Sequence, residues 1–306
     1  MATMNFASAP FSPSVQPPAA SKGYVYHDPR IVLAVNVALA SGRPLFVTGS
    51  PGTGKSTLAQ AVARDLSWAY AGTTVTSRTR MEDLVCRFDA VQRLSDAQEH
   101  KVLAADEYLV PGVLWWAFAP ASAAAQRLAR DAREYVELAD NGVVVLLDEI
   151  DKAEPDLPND LLAPLDRYVV DVPGADEDEE AHLARKKKTL VVVTSNGERS
   201  MPPAFLRRCI VLELDDEDPT FFVGVATSHF GERTDTLYAD VAAHTRKLSR
   251  EAEPNRRRKP SMAEYLDTLQ ACIAYSQTPP TESTPASDLW GAIEEAALRK
   301  TRQDTE

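Results

Sequence analysis

Apolar positions along the chain follow two patterns, and their order predicts the fold. Short apolar runs occur at 44–48, 143–147 and 190–194, and 209–214 is a further strand candidate. Such runs lack the alternation of a half-solvated strand and read as strands covered on both faces. Residues 73–77 read as one more strand. Helical spacing fills the stretches between. It covers 28–41, where Gly42 follows the last turn, and 56–66, with Leu58, Ala61, Val62 and Leu66 on one side. It also covers 81–103, 113–140 and 155–168. Repeated strand–helix alternation predicts an α/β fold, a parallel sheet sandwiched between helices.

Beyond Asp215 only helical patterns remain, at about 219–230, 234–251, 261–276 and 287–302, with a Pro/Thr/Ser linker at 278–286. The expected organisation is a tail at 1–22, an α/β core at 23–216 and a helical domain at 217–306. The tail carries Pro10, Pro13, Pro17 and Pro18 among Ala and Ser. It is expected to be disordered, because it has too little apolar surface to offset its ordering entropy.

A chain of 306 residues with 44% hydrophobic and 25% charged residues is an ordinary globular mixture. Its net charge of −12 argues against a generic grip on nucleic acid or anionic lipid. Cys86, Cys209 and Cys272 are far apart, and the five histidines (27, 100, 182, 229 and 244) are scattered. No zinc site is expected, and the thiols read as reduced, in a cytoplasmic setting. There is no apolar run of the length a membrane span needs, and the N-terminus lacks the pattern of a signal peptide.

Candidate chemistry begins at Gly49-Ser50-Pro51-Gly52-Thr53-Gly54-Lys55-Ser56, followed by Thr57. This is G-x-x-x-x-G-K-[ST] between a predicted strand and a predicted helix, the context the phosphate-binding loop requires. The glycines let backbone N–H groups converge on phosphate oxygens. Lys55 supplies a positive charge between the β- and γ-phosphates, Ser56 a hydroxyl for Mg²⁺, and the helix start a positive dipole end. The expected ligands are ATP and Mg²⁺. About 90 residues on, the apolar run 143–147 ends in Asp148-Glu149. Asp148 is expected to hold Mg²⁺ and Glu149 to orient and deprotonate the attacking water. At the end of the 190–194 run, Asn196 either holds that water or merely shapes a turn with Gly197. Of the two arginines that follow, Arg208 is the first candidate for a cation supplied in trans and Arg207 the second.

These blocks resemble an AAA+ ATPase of the MoxR group over about residues 24–303. The likeness rests on RPLFVTGSPGTGKSTLAQAVA (43–63), VVVLLDEIDKAEPDLPNDLL (143–162), LVVVTSNGERSMPPAFLRRC (190–209) and RKPSMAEYLD (258–267). The resemblance implies a P-loop AAA+ three-layer sandwich with a C-terminal helical lid, and homo-oligomeric rings, usually hexamers. It gives Asn196 the place of sensor 1 and Arg208 that of the arginine finger. The usual sensor 2 arginine is replaced here, leaving Lys259 or Arg258 as the candidate; alternatively the basic run 256–259 is a solvated loop. The resemblance also implies pore-facing insertions at 86–113 and 173–188. The second of these, an acidic–basic stretch, also reads as a solvated surface loop or hairpin. Trp115-Trp116 is a contact site or core. Similar proteins remodel protein clients and work with von Willebrand A domain partners. Two other functions stay open: a nucleotide-dependent regulatory switch and a nucleic-acid motor.

Overall fold

The computed structural model describes residues 24–26, 28–126, 133–167, 169–170, 188–214, 219–252, 259–280 and 286–299. The expectations for the tail at 1–22, the charged stretch up to 187, the centre of the linker and Arg258 lie outside these residues.

Helix α1 (Pro29–Ser41) starts where the Asp28 carboxylate accepts the Arg30 N–H at 2.8 Å. It stops at Gly42, whose left-handed backbone lets its N–H return to the Ala38 carbonyl. Then follow β1 (Leu45–Gly49), α2 (Lys55–Leu66) and β2 (Ala69–Thr74). Next come α3 (Met81–Val85), β3 (Cys86–Phe88), α4 (Ala90–Gln98), β4 (Leu109–Pro111), α5 (Val113–Phe118), α6 (Pro120–Ala125) and α7 (Arg133–Ala139). The unit closes with β5 (Val143–Asp148), α8 (Leu157–Asp160), α9 (Leu162–Arg167), β6 (Thr189–Ser195), α10 (Pro203–Leu206) and β7 (Ile210–Leu214).

Five strands form one sheet in the order β2-β5-β6-β1-β7. The pairings of β2 with β5, β5 with β6 and β6 with β1 are parallel, as the buried apolar runs predict. Residues 143–147 and 190–193 are all at most 4% exposed, so these strands are covered on both faces.

Four expected elements take a different form. The strand expected at 73–77 lies at Ala69–Thr74. Its position is set by pairing from Ala69↔Val143 to Thr74↔Asp148, a non-local constraint. After the Val75 N–H reaches the Asp148 carbonyl at 2.8 Å, the chain turns away, with the Thr79 hydroxyl accepting the Thr76 N–H. The helix expected over 81–103 is broken. Cys86–Phe88 pairs antiparallel with Leu109–Pro111, and Asp89 caps a new helix by accepting the Gln92 N–H at 2.8 Å. The helix expected over 155–168 divides in two, since Pro164 has no N–H to return to the carbonyl four residues back. Pro120 likewise opens α6 and divides the expected 113–140 helix.

The chain forms two compact units. One holds Asp28–Gly49 and Lys55–Glu213; the other holds Tyr24–Tyr26, Ser50–Gly54 and the residues from Leu214 onward. The second contains α11 (Pro219–Phe230), α12 (Leu237–Ala252), α13 (Met262–Tyr275) and α14 (Asp288–Ile293), which runs on into a π turn at Glu294–Arg299. Its apolar centre gathers Phe222, Val241, Tyr265, Leu269 and Trp290. Among the described residues, no helix is long and apolar enough to cross a membrane.

All three cysteines are buried and reduced. Burial pushes the thiol of Cys209 up to about 12 and that of Cys272 up to about 11, and raises that of Cys86. The native state therefore disfavours each thiolate. The stability this gives is fully present below the ordinary thiol value of 9.0 and is lost as the pH rises toward about 12. At pH 8 the folded protein should not react with a disulfide-exchange reagent, and all three thiols should react in guanidinium. Fast reaction of any thiol in the folded protein would contradict this packing.

Candidate functional site

The phosphate loop joins β1 to α2, as its sequence context requires. Gly52 and Gly54 have φ of 85° and 87°, in the left-handed region that glycine enters without steric cost. The Thr53 hydroxyl bonds the Ser50 carbonyl at 2.9 Å and closes the turn. The Lys55 ammonium lies on the Gly49 carbonyl at 2.7 Å, across the turn rather than in solvent, and Lys55 is 6% exposed. Helix α2 is 12 residues long and starts at Lys55, so its positive dipole end lies where the loop ends. Within the second unit, a Cβ on Gly52 would meet the Ser261 Cβ at 2.8 Å and the Met262 nitrogen at 3.1 Å. Only glycine fits there, at the start of α13. Lys259 is exposed, two residues before Ser261. Pro51 and Thr57 are exposed as well.

The ladder pairs Leu147 with Val193, which sets Asp148 beside Thr194 at the C-terminal ends of β5 and β6. The Ser56 hydroxyl donates to Asp148 Oδ1 at 2.7 Å, and the Thr194 hydroxyl donates to the same oxygen at 2.6 Å. Thr194 also accepts the Glu149 N–H at 2.9 Å. Glu149 has φ 60° and ψ 47°, a left-handed conformation uncommon for a residue with a side chain. Its Oε1 accepts from the Asn196 amide at 3.2 Å, and its Oε2 from the Lys152 ammonium at 2.6 Å. That bond to Glu149 is the main reason the Lys152 ammonium titrates above its ordinary value.

The structure thus gathers Ser56, Asp148, Glu149 and Asn196 into one bonded cluster. A hydroxyl and a carboxylate oxygen at hydrogen-bond distance suit a hard cation, which prefers oxygen ligands. Among the described residues, no group of three or more His, Cys, Asp or Glu could hold a metal by itself.

Arg208 stands apart from this cluster. Its Nε donates to Asp166 at 2.7 Å and its Nη1 to the Ala204 carbonyl at 3.2 Å. Arg207 is exposed, and its carbonyl accepts from the Arg43 guanidinium. Trp115 is core at 3% exposed, and Trp116 packs edge-on against Tyr135.

Sequence reasoning missed Thr194, Asp151 and Lys152. Thr194 carried a usable signal, as the polar residue that ends a buried run beside Asn196. The roles of Asp151 and Lys152 depend on a turn that local sequence does not specify.

Thr194 is fully buried and holds two partners, the Glu149 N–H and the Asp148 carboxylate. Thr194→Val keeps its shape and leaves Asp148 and the Glu149 N–H each short of a bond. The expected loss is about 1–3 kcal/mol in urea unfolding, largely recovered by Thr194→Ser. An unchanged midpoint for the valine variant would contradict the bridging role.

The profile of the AAA domain (dynein-related subfamily) matches residues 44–209, more than half of the chain. No curated protein sequence matches the chain. Among solved structures, the Thermotoga maritima RuvB Holliday junction branch migration motor is similar, with 17% identity, a TM-score of 0.45, and coverage of 87% of this chain and 67% of that one. A point mutant of the same motor gives 15% identity and a TM-score of 0.47 over 87% of this chain and 68% of that one. The chain belongs to the AAA domain family, in its dynein-related subfamily.

Proposed function

We propose that this chain is a MoxR-type AAA+ ATPase that hydrolyses ATP with Mg²⁺ in a homo-oligomeric ring, a hexamer by its resemblance, and remodels a protein client. The observation that carries the reading is the bonded cluster Ser56–Asp148–Thr194–Glu149–Asn196 beside a glycine loop. The loop N–H groups cradle phosphate oxygens, and Lys55 exchanges the Gly49 carbonyl for them. Ser56 and Asp148 hold Mg²⁺, which neutralises charge on the phosphates when bound. Glu149 takes the proton of the attacking water, and Asn196 orients that water. Lys259 contacts the γ-phosphate. Arg208, with Arg207 second, reaches a neighbouring subunit's nucleotide. The protein works in the cytoplasm, and a von Willebrand A domain protein is the expected partner class.

A second reading, a nucleotide-dependent switch with little turnover, has one observation in its favour. The Lys152 ammonium occupies one oxygen of the Glu149 carboxylate, a contact that a base would have to give up before taking a proton. A nucleic-acid motor is disfavoured by the net charge of −12.

The test is steady-state ATP hydrolysis against protein concentration, with mass measured in ATP and Mg²⁺. Specific activity should rise with concentration as rings form. Glu149→Gln should lower kcat by about 10²-fold or more, and Arg208→Ala by about 10³-fold. Concentration-independent turnover by a monomer, with Arg208→Ala neutral, would overturn the ring reading and leave the switch. Turnover stimulated by DNA in a salt-dependent way would favour the motor instead.

A further inference from the structure

Asp151 lies two residues beyond Glu149 in the single 3-10 turn Ile150–Lys152, and is 3% exposed. Its Oδ2 accepts two backbone N–H groups, from Asn196 and Glu198, each at 3.0 Å. The residue between them, Gly197, has φ 77° and nothing within 4 Å of where its Cβ would be, so its own packing does not fix the turn. Its N–H reaches only the Ser195 hydroxyl at 3.0 Å. The carboxylate of Asp151 is therefore the tie from the turn after β5 to the backbone of Asn196 and Glu198; farther along the chain leaving β6, the Arg199 guanidinium adds a bond to the Ala153 carbonyl at 2.6 Å. The second Asp151 oxygen, Oδ1, is buried with no hydrogen-bond partner among the described residues. A buried carboxylate that leaves one oxygen unsatisfied is costly, and two backbone bonds alone do not require a charged group.

What those bonds control is the place of Asn196. Its backbone is held by Asp151 and its amide touches Glu149 Oε1 at 3.2 Å. We propose that Asp151 is a positioning residue for hydrolysis: by clamping the N–H groups of Asn196 and Glu198, it sets the distance between the Asn196 amide and the Glu149 carboxylate. This rests on the ATPase reading above. Positional errors of about 1 Å at a reacting group can cost about 10²-fold in rate. The Asp151 carboxylate bonds the Asn196 and Glu198 backbone and neither Lys55 nor Ser56, so its loss should leave nucleotide binding alone.

The test compares Asp151→Ala, Asp151→Asn, Asn196→Ala and the double variant Asp151→Ala/Asn196→Ala, each checked for an intact thermal transition. The readouts are kcat and KM for MgATP. Asp151→Ala should lower kcat about tenfold or more with KM changed less than about twofold. Asp151→Asn keeps an oxygen able to accept both N–H groups and should recover most of kcat, which a role depending on charge would not allow. Because Asp151 acts through Asn196, the double variant should be little slower than Asn196→Ala alone. Multiplying effects, or a fall confined to KM, would overturn the clamp while leaving the ATPase reading standing. No effect of Asn196→Ala would overturn the clamp alone; no hydrolysis by the parent protein would overturn the ATPase reading and the clamp with it.

Discussion

Strands β5 and β6 pair in parallel from Val143↔Thr189 to Leu147↔Val193, and neither has a solvent-facing side. A slip of one residue would exchange the two faces of each strand and carry Asp148 away from Thr194. The apolar burial on both faces thus fixes the register, and the register fixes the polar chemistry at the strand ends. Where the ladder stops, hydroxyls and carboxylates take over as partners. The 2.6 Å bond from Thr194 to Asp148 and the 2.7 Å bond from Ser56 to Asp148 follow from that stop. They join three adjacent strands, since Ser56 arrives from the loop after β1.

Glu149 shows what this framework can impose. A left-handed backbone costs a residue with a side chain about 1–2 kcal/mol. Here it is held by the N–H bond to Thr194 and by carboxylate contacts to Asn196 and Lys152. Strain at this position is consistent with a carboxylate aimed before any ligand arrives, the arrangement that lowers the cost of catalysis. The same contacts also occupy the carboxylate. Preorganisation and restraint come from the same bonds.

The buried runs at 143–147 and 190–194 and the glycine loop were legible because each depends on local composition. Covered strands must be apolar throughout, and the loop needs glycine where φ is positive. The strand expected at 73–77 was misplaced because β2 is positioned by its partner, and its Ala-Tyr-Ala-Gly start has little strand character of its own. The β3–β4 pair was hidden for a similar reason. Its strands are three residues each and lie about 20 residues apart, too short for periodicity to register. Asp151 and Lys152 were invisible as site residues because an acid and a base after a strand are normally solvated. Only the tertiary turn brings them onto Asn196 and Glu149.

The two candidate arginines are now distinguishable by what holds them. Arg207 gives its carbonyl to Arg43, so its contribution to the fold is through the backbone. Arg208 is aimed by its guanidinium, through Asp166 and the Ala204 carbonyl. The Arg208 and Asp166 side chains are each 45% exposed, and an ion pair so placed contributes only about 0–1 kcal/mol. A buried pair would strand a charge if one partner left, and the arginine would be confined to a structural role. A weak exposed pair does the opposite: it narrows the directions the guanidinium samples and releases it from Asp166 at little cost. In the ring proposed for this chain, that balance of aim and release favours Arg208 over Arg207 as the arginine acting on another subunit's nucleotide.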